Sequence, residues 1–258
     1  MRNVWVVATN TFREAVRDRV LYNLVFFALL MMGAAILVGQ ISIGIEQSVI
    51  ISLGLSAISI IGIFIAVFIG VGLVSKEMDK RTLYALLAKP VERWQFLTGK
   101  FAGLAMTLTV NTAAMTVGLY LALWTVKHAV AGSDWNLLLA VYLILLKLVL
   151  IVALAMLFSC FTSPFLAILF TVGIYIAGLF AGELRTMQAV NLSPAAMGVF
   201  RAVSYLLPNF ENFNVMGVVA HGRAVPVALV WQSTIYAILY GAIVLAGAAL
   251  IFSRRNLK

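Results

Sequence analysis

Uncharged stretches of membrane-spanning length constrain this chain more than any other feature. Each of five stretches lacks Asp, Glu, Lys and Arg and is longer than the roughly 20 residues that a helix needs to cross a bilayer core. Because a backbone in lipid must satisfy its own hydrogen bonds, these stretches are expected to be helical. The chain is therefore predicted to be an all-α integral membrane protein. The stretches cover residues 20 to 45, 47 to 75, 101 to 126, 148 to 182 and 224 to 253.

Composition and a proline-containing break refine the number of spans to six. With 64% hydrophobic and 10% charged residues, the chain has too little polar surface for a soluble globule. The stretch from 148 to 182 is too long for one span, and Ser163-Pro164 can start a new helix inside it. We predict spans at about 20 to 40, 51 to 75, 101 to 126, 136 to 158, 165 to 182 and 226 to 252.

The distribution of basic residues predicts the orientation. The net charge is +9, and with six spans most Lys and Arg residues fall on the side that holds both termini and the 76 to 100 segment. Basic loops mark the cytoplasmic side, so both termini are predicted to be cytoplasmic. The membrane is expected to be the cytoplasmic (inner) membrane of a bacterium or archaeon. This distribution argues for membrane lipid, not nucleic acid, as the partner of the positive charge.

Three polar segments flank the spans of what is predicted to be a single domain, residues 1 to 258. Residues 3 to 19 place Trp5, Ala8, Phe12 and Val16 on one helical face, which is typical of a helix lying in the membrane interface. Residues 183 to 225 form a long outer loop with apolar clusters. Short outer re-entrant helices, separated by Pro208-Asn209, would bury those clusters.

Residues 76 to 98 form the third polar segment, which joins the second and third spans. Leu83, Leu86 and Leu87 make an apolar stripe at helical spacing, and Lys89-Pro90 ends that helix. Val91 to Phe96 can form a second short helix. The segment is therefore predicted to be a helical hairpin that docks on a cytoplasmic partner.

The same segment resembles the cytoplasmic signature of type-2 ABC transporter permeases. The residues that carry the resemblance run from Ser75-Lys76-Glu77-Met78-Asp79 through Thr82, Leu86-Leu87, Pro90 and Arg93 to Gly99-Lys100. Arg81 stands where the family commonly has glycine. Tyr205-Leu206-Leu207-Pro208-Asn209-Phe210 resembles the family's outer segment before the last span. The resemblance covers essentially the whole chain.

The resemblance implies a permease subunit driven by a separate cytoplasmic ABC ATPase dimer. ATP and Mg would be bound by that partner, so no cofactor, metal or catalytic residue is assigned to this chain. A second permease copy or a paralogue would complete the assembly. The residues expected to couple to the ATPase are Glu77, Lys80, Arg81, Thr82, Leu83, Leu86, Pro90, Val91, Arg93 and Phe96.

A candidate transport path or subunit interface follows from small residues on the second and fifth spans. Small residues let helices approach closely, but they could equally pack inside their own subunit. Lys147 is placed near the middle of the fourth span, where a charge is costly unless it faces water or a partner, or unless its stem snorkels to the interface. The path residues are Gly54, Ser56, Ser59, Gly62, Lys147, Gly173 and Gly178, with Gly182 at the end of the fifth span.

The absence of other chemical motifs in the sequence narrows the function. No phosphate-binding Gly-x-x-x-x-Gly-Lys-[Ser/Thr] motif is present, and His128 and His221 have no partner at metal-ligand spacing. The leading hypothesis is ATP-driven export or extraction of a lipid-like or other amphipathic substrate. The alternatives are a mechanotransmitting or scaffold subunit that drives a periplasmic or extracellular accessory protein, and an energy-independent channel or carrier.

Overall fold

The protein is a helical bundle in which successive long helices run in alternating directions. The structure, a computed structural model, describes residues 2–42, 44–79, 92–127, 134–182 and 206–254, and these residues contain helices and loops but no strand. The helices are α1 (Arg2–Val16), α2 (Arg19–Ile41), α3 (Glu46–Asp79), α4 (Arg93–Lys127), α5 (Asp134–Ser159), α6 (Pro164–Leu179), a 3-10 turn (Glu211–Phe213), α7 (Met216–Ala220) and α8 (Val227–Arg254).

Five of these helices, α2, α3, α4, α5 and α8, are long and apolar enough to cross a membrane. They coincide with five of the six predicted spans. The remaining one, α6, has 16 residues and is about 24 Å long, shorter than a bilayer core of roughly 30 Å. The sixth span therefore stays a prediction. Ser163 and Pro164 do begin α6, although the Ser163 hydroxyl makes no capping hydrogen bond.

The N-terminal helix is packed against the first half of α4. Gly99 and Gly103 of α4 allow this approach: a Cβ on Gly103 would lie 2.5 Å from the carbonyl oxygen of Ala8, and one on Gly99 would lie 2.7 Å from Val7 Cβ. The face of α1 that packs is centred on Ala8, Thr11 and Ala15. Trp5, predicted to share a face with Ala8, is instead 60% exposed.

Helix α3 lies at the centre of the bundle and contacts α2, α4, α5 and α6. Its Leu55, Ile58 and Ile65 side chains are fully buried. One end of the bundle is formed by α1, the first turns of α4 and the last turns of α8, and we call it the terminal face. Asn3 Nδ2 donates to Gln95 Oε1 at 3.3 Å there, which ties α1 to the start of α4.

The chain before α8 folds back against α6 and α8. Phe210 N–H donates to the Gly178 carbonyl at 3.0 Å, and Asn209 N–H donates to the Tyr236 hydroxyl at 2.9 Å. The Tyr240 hydroxyl donates to the Leu206 carbonyl at 3.0 Å. Tyr240 lies about 20 Å along α8 from Val227, so residues 206 to 213 run beside the middle of that helix. These residues pack against the C-terminal end of the short α6.

Candidate functional site

The predicted coupling segment lies between the two longest helices of the bundle. Helix α3 includes Glu77 and continues to Asp79, and α4 begins at Arg93. Residues 93 to 98 therefore form the first turns of α4, and the separate short helix predicted over Val91 to Phe96 is wrong for this part. The other predicted coupling residues lie outside the described residues: Lys80, Arg81, Thr82, Leu83, Leu86, Pro90 and Val91.

Phe96, one of the predicted ATPase-coupling residues, packs inside the chain, and its coupling role stays a prediction. Its side chain is 8% exposed and stacks on Phe252 of α8, with ring centroids 6.2 Å apart. Lys100 Nζ lies 5.5 Å from the Phe96 ring centroid and is itself buried. Because these contacts occupy the ring inside the chain, Phe96 supplies packing within the permease. Trp94, two residues earlier, points outward and is 52% exposed.

Three of the predicted path glycines face neighbours inside their own chain. A Cβ on Gly54 would lie 2.3 Å from Leu119 Cδ1, and one on Gly62 would lie 2.5 Å from Leu148 Cδ1. A Cβ on Gly178 would meet the Pro208 carbonyl oxygen at 2.3 Å. These glycines were predicted either to line a subunit interface or to pack inside their own subunit. The structure favours packing inside the subunit for all three.

Gly173 has a different environment, because nothing lies within 4 Å of the position of its missing Cβ. It belongs to an open apolar groove on the surface of α6, the preceding turn and the last turn of α5. We call this the α6 groove, and its lining residues are Phe158, Phe161, Leu169, Phe170, Gly173 and Ile174.

The two predicted path serines of α3, Ser56 and Ser59, contact other helices of the bundle. The Ser56 hydroxyl lies 3.8 Å from the sulfur of Met216 in α7. Ser59 is buried and accepts a hydrogen bond of 2.6 Å from Lys147 Nζ of α5. Lys147 is 3% exposed, so its ammonium group joins two long helices in the middle of the bundle and does not reach either end of α5.

Two polar features were missed by reasoning from sequence. Asn111 of α4 is 8% exposed, and its Nδ2 atom has no hydrogen-bond partner within the described part of the chain. Tyr236 and Tyr240 anchor the chain before α8, as described above. An amide inside an uncharged stretch and two tyrosines four residues apart in a span were the available signals. Buried polar side chains at helix contacts commonly hold neighbouring spans together.

The described residues contain no group of three His, Cys, Asp or Glu side chains that could hold a metal ion. Cys160 is buried at the turn between α5 and α6. His221, next to α7, is exposed, and its Nδ1 atom lies 2.7 Å from the Gly217 carbonyl oxygen. Within the described residues, the candidate site combines helix packing surfaces with the buried ammonium group of Lys147.

Comparison with protein families gives one match that spans nearly the whole chain. The model described as "ABC-2 family transporter protein" matches residues 5–257. A search of curated proteins found no match. The matched range includes both long helices that flank residues 80 to 91, the Lys147 position and the segment before α8.

Proposed function

The chain belongs to the ABC-2 transporter family and is a membrane permease subunit, and from this premise we propose that it moves a lipid-like or other amphipathic substrate outward. ATP, with Mg, is bound and hydrolysed by a separate cytoplasmic ATPase subunit dimer. The membrane is the cytoplasmic membrane of a bacterium or archaeon, with both termini inside and α6 as the fifth of six spans.

The continuity of α3 and α4 carries this proposal. Both ends of residues 80 to 91 lead directly into helices of 34 and 35 residues, and one of these, α3, is the central helix of the bundle. A rigid helix transmits a displacement of its end along its whole length. Force applied by a partner at residues 80 to 91 would therefore reach the far end of the bundle through two helices at once.

The proposed path runs beside a second permease copy or a paralogue. The α6 groove supports this placement, because it is open, apolar and lies on the predicted fifth span. A contiguous exposed apolar surface of this kind in a membrane protein accepts lipid, another helix or an amphipathic molecule. A pair of such grooves could hold the hydrocarbon part of a substrate.

A mechanotransmitting role is the second candidate, and the anchoring of residues 206 to 213 favours it. Hydrogen bonds to Gly178, Tyr236 and Tyr240 tie this segment to α6 and α8. Movement of those helices would therefore be passed to the surface opposite the terminal face. An accessory protein bound at that surface would receive the movement without any substrate crossing the membrane.

Purification of the tagged chain with its native partners tests the proposed function. We expect an ABC ATPase subunit to co-purify, and we expect the Leu83→Asp, Leu86→Asp double variant to lose it while still inserting into the membrane. The matched control is Ile45→Asp, because Ile45 is 60% exposed in the turn between α2 and α3, away from the coupling segment. Retention of the ATPase by the double variant would reject residues 76 to 98 as the docking segment. Lipid or amphiphile extraction by the reconstituted complex then separates transport from a purely mechanical role.

A further inference from the structure

Lys147 and Ser59 form a polar contact at mid-depth in the bundle. Lys147 lies thirteen residues after the start of α5 and twelve before its end, so its Cα is about 20 Å from either end of the helix. Its side chain is 3% exposed, and Nζ donates to Ser59 Oγ at 2.6 Å. An ammonium group has three N–H donors. Within the described residues, Ser59 is the single hydrogen-bond acceptor found for it.

Within the described part of the chain, no acidic side chain pairs with this ammonium group. The chain contains nine Asp and Glu residues, and none of them falls inside the six predicted spans. In α3 and α5 the acidic residues are confined to the first residues or the last three: Glu46, Glu77, Asp79 and Asp134. Among the described residues, Lys147 therefore has a neutral hydroxyl and no carboxylate as its partner.

Hydroxyl groups on α4 lie at the same depth. Gly54 faces Leu119, and Ala66 and Thr107 line one small cavity, which fixes how α3 and α4 run past each other. This register places Thr112 and Thr116 within about one turn of Ser59. Both threonines are buried, and the Thr116 hydroxyl donates to the Thr112 carbonyl at 2.6 Å.

A simple tie between helices would not need a charge at this position. A Ser, Thr or Asn side chain could form the same contact at lower desolvation cost. A buried ammonium group whose only partner is neutral is poorly stabilised. The arrangement in which α3 and α5 are packed together is therefore disfavoured relative to one in which an anion reaches the ammonium group. Because α3 continues to Asp79 and the coupling segment whereas α5 ends at the turn before α6, force on that segment acts on α3 directly.

We propose that the junction of α3, α4 and α5 around Lys147 is a binding site for an anionic group, a phosphate or a carboxylate, on the transported amphiphile. The site becomes accessible when α3 separates from α5, and the ammonium group then exchanges Ser59 for the anion. This inference rests on the proposed function for the force that separates the helices. It narrows the substrate class to amphiphiles with a negatively charged group.

Thermal unfolding of the full chain in nanodiscs of zwitterionic phosphatidylcholine tests the site. The chain is measured alone and with its ATPase subunit and a non-hydrolysable ATP analogue. Dodecyl phosphate at saturation should raise the melting temperature of the wild type and of Lys147→Arg by about 5 °C in at least one state. Lys147→Met and Lys147→Gln should show no such rise. Lys100→Met is the matched control, because Lys100 is buried at the terminal face, and it should retain the rise.

Two further probes identify the source of the anion. Dodecylphosphocholine has the same hydrocarbon chain without net charge and should give a much smaller rise. Inorganic phosphate tests whether the site binds a free anion instead of a headgroup. A rise in melting temperature with dodecyl phosphate alone assigns the site to an amphiphile. An equal rise with inorganic phosphate overturns that assignment. An equal dodecyl phosphate response in wild type and both neutral variants, or no response of the wild type in either state, would overturn the site itself. Failure of the proposed function has a different signature, namely absence of an ATPase subunit on the purified chain.

Discussion

Phe96 and Phe252 stack with ring centroids 6.2 Å apart and ring planes 18° from parallel, so the first turn of α4 is joined to the last turn of α8. Because α4 follows the predicted coupling segment directly, this contact connects that segment to the C-terminal helix. The Asn3 to Gln95 hydrogen bond brings α1 into the same group of contacts. Helices α1, α4 and α8 therefore meet at the terminal face and are expected to move together.

Removing the Phe252 ring should loosen this junction without removing the ATPase. Phe252→Ala deletes a side chain that is 3% exposed, and deletion of a buried phenyl group typically costs about 3 to 5 kcal/mol. We expect a lower melting temperature of the purified chain and an unchanged yield of co-purified ATPase. Trp94→Ala is the matched control at the same end, and its half-exposed ring should cost less. Equal melting temperatures for the two variants would contradict a structural role for the stack.

A methyl group at Gly103 should disturb the seat of α1 on α4. The Cβ of Gly103→Ala would lie 2.5 Å from the Ala8 carbonyl oxygen. Overpacking of this kind typically lowers the free energy of unfolding by about 1 to 3 kcal/mol. Gly33→Ala is the control, because nothing lies within 4 Å of that position and alanine is the better helix former. We expect a lower melting temperature for Gly103→Ala and no decrease for Gly33→Ala. A neutral Gly103→Ala would mean that α1 is not held against α4 in the membrane.

Glu77 and Arg93 are predicted to matter for coupling more than for assembly. They lie near the end of α3 and at the start of α4, inside the predicted coupling segment of residues 76 to 98. Charges at a moving interface fix orientation as well as affinity, so alanine at either position should lower transport-linked ATPase activity severalfold. The yield of the complex should fall less. Glu92→Ala is the control, since Glu92 is exposed and accepts a hydrogen bond from Trp94 Nε1. Activity of both variants equal to that of Glu92→Ala would reject the assignment.

Single cysteines in a Cys160→Ser background test whether the α6 groove faces a second copy. Gly173→Cys should form a disulfide-linked dimer on oxidation and reduce turnover, because a Cα separation of about 4.4 to 6.8 Å permits the bond. Gly62→Cys should form no dimer, since its position is enclosed by Leu148 of the same chain. Each variant has one cysteine, so any disulfide joins two chains. A dimer at position 62 but not at 173 would place the interface elsewhere.

Much of the architecture follows from local sequence. Uncharged stretches and the Ser163-Pro164 start predicted the six apolar helices to within a few residues, apart from the ends of α3 and α4, which extend beyond the predicted spans. Hydrophobicity and helix starts depend on neighbouring residues only, which explains this success. Proximity of Phe96 to a charged segment suggested docking, yet the ring lies inside the chain because α8, more than 150 positions later, covers it.

The roles of individual small and polar residues were decided by tertiary structure. The sequence determined that glycines recur on α3 and α6 and that a lysine occupies the middle of α5, because composition and spacing are local properties. It could not determine that Gly54 and Gly62 receive Leu119 and Leu148 whereas Gly173 stays open. It also could not pair Lys147 with Ser59, which lies 88 positions away. Such contacts depend on the relative rotation and register of separate helices, and these are set by packing of the whole bundle.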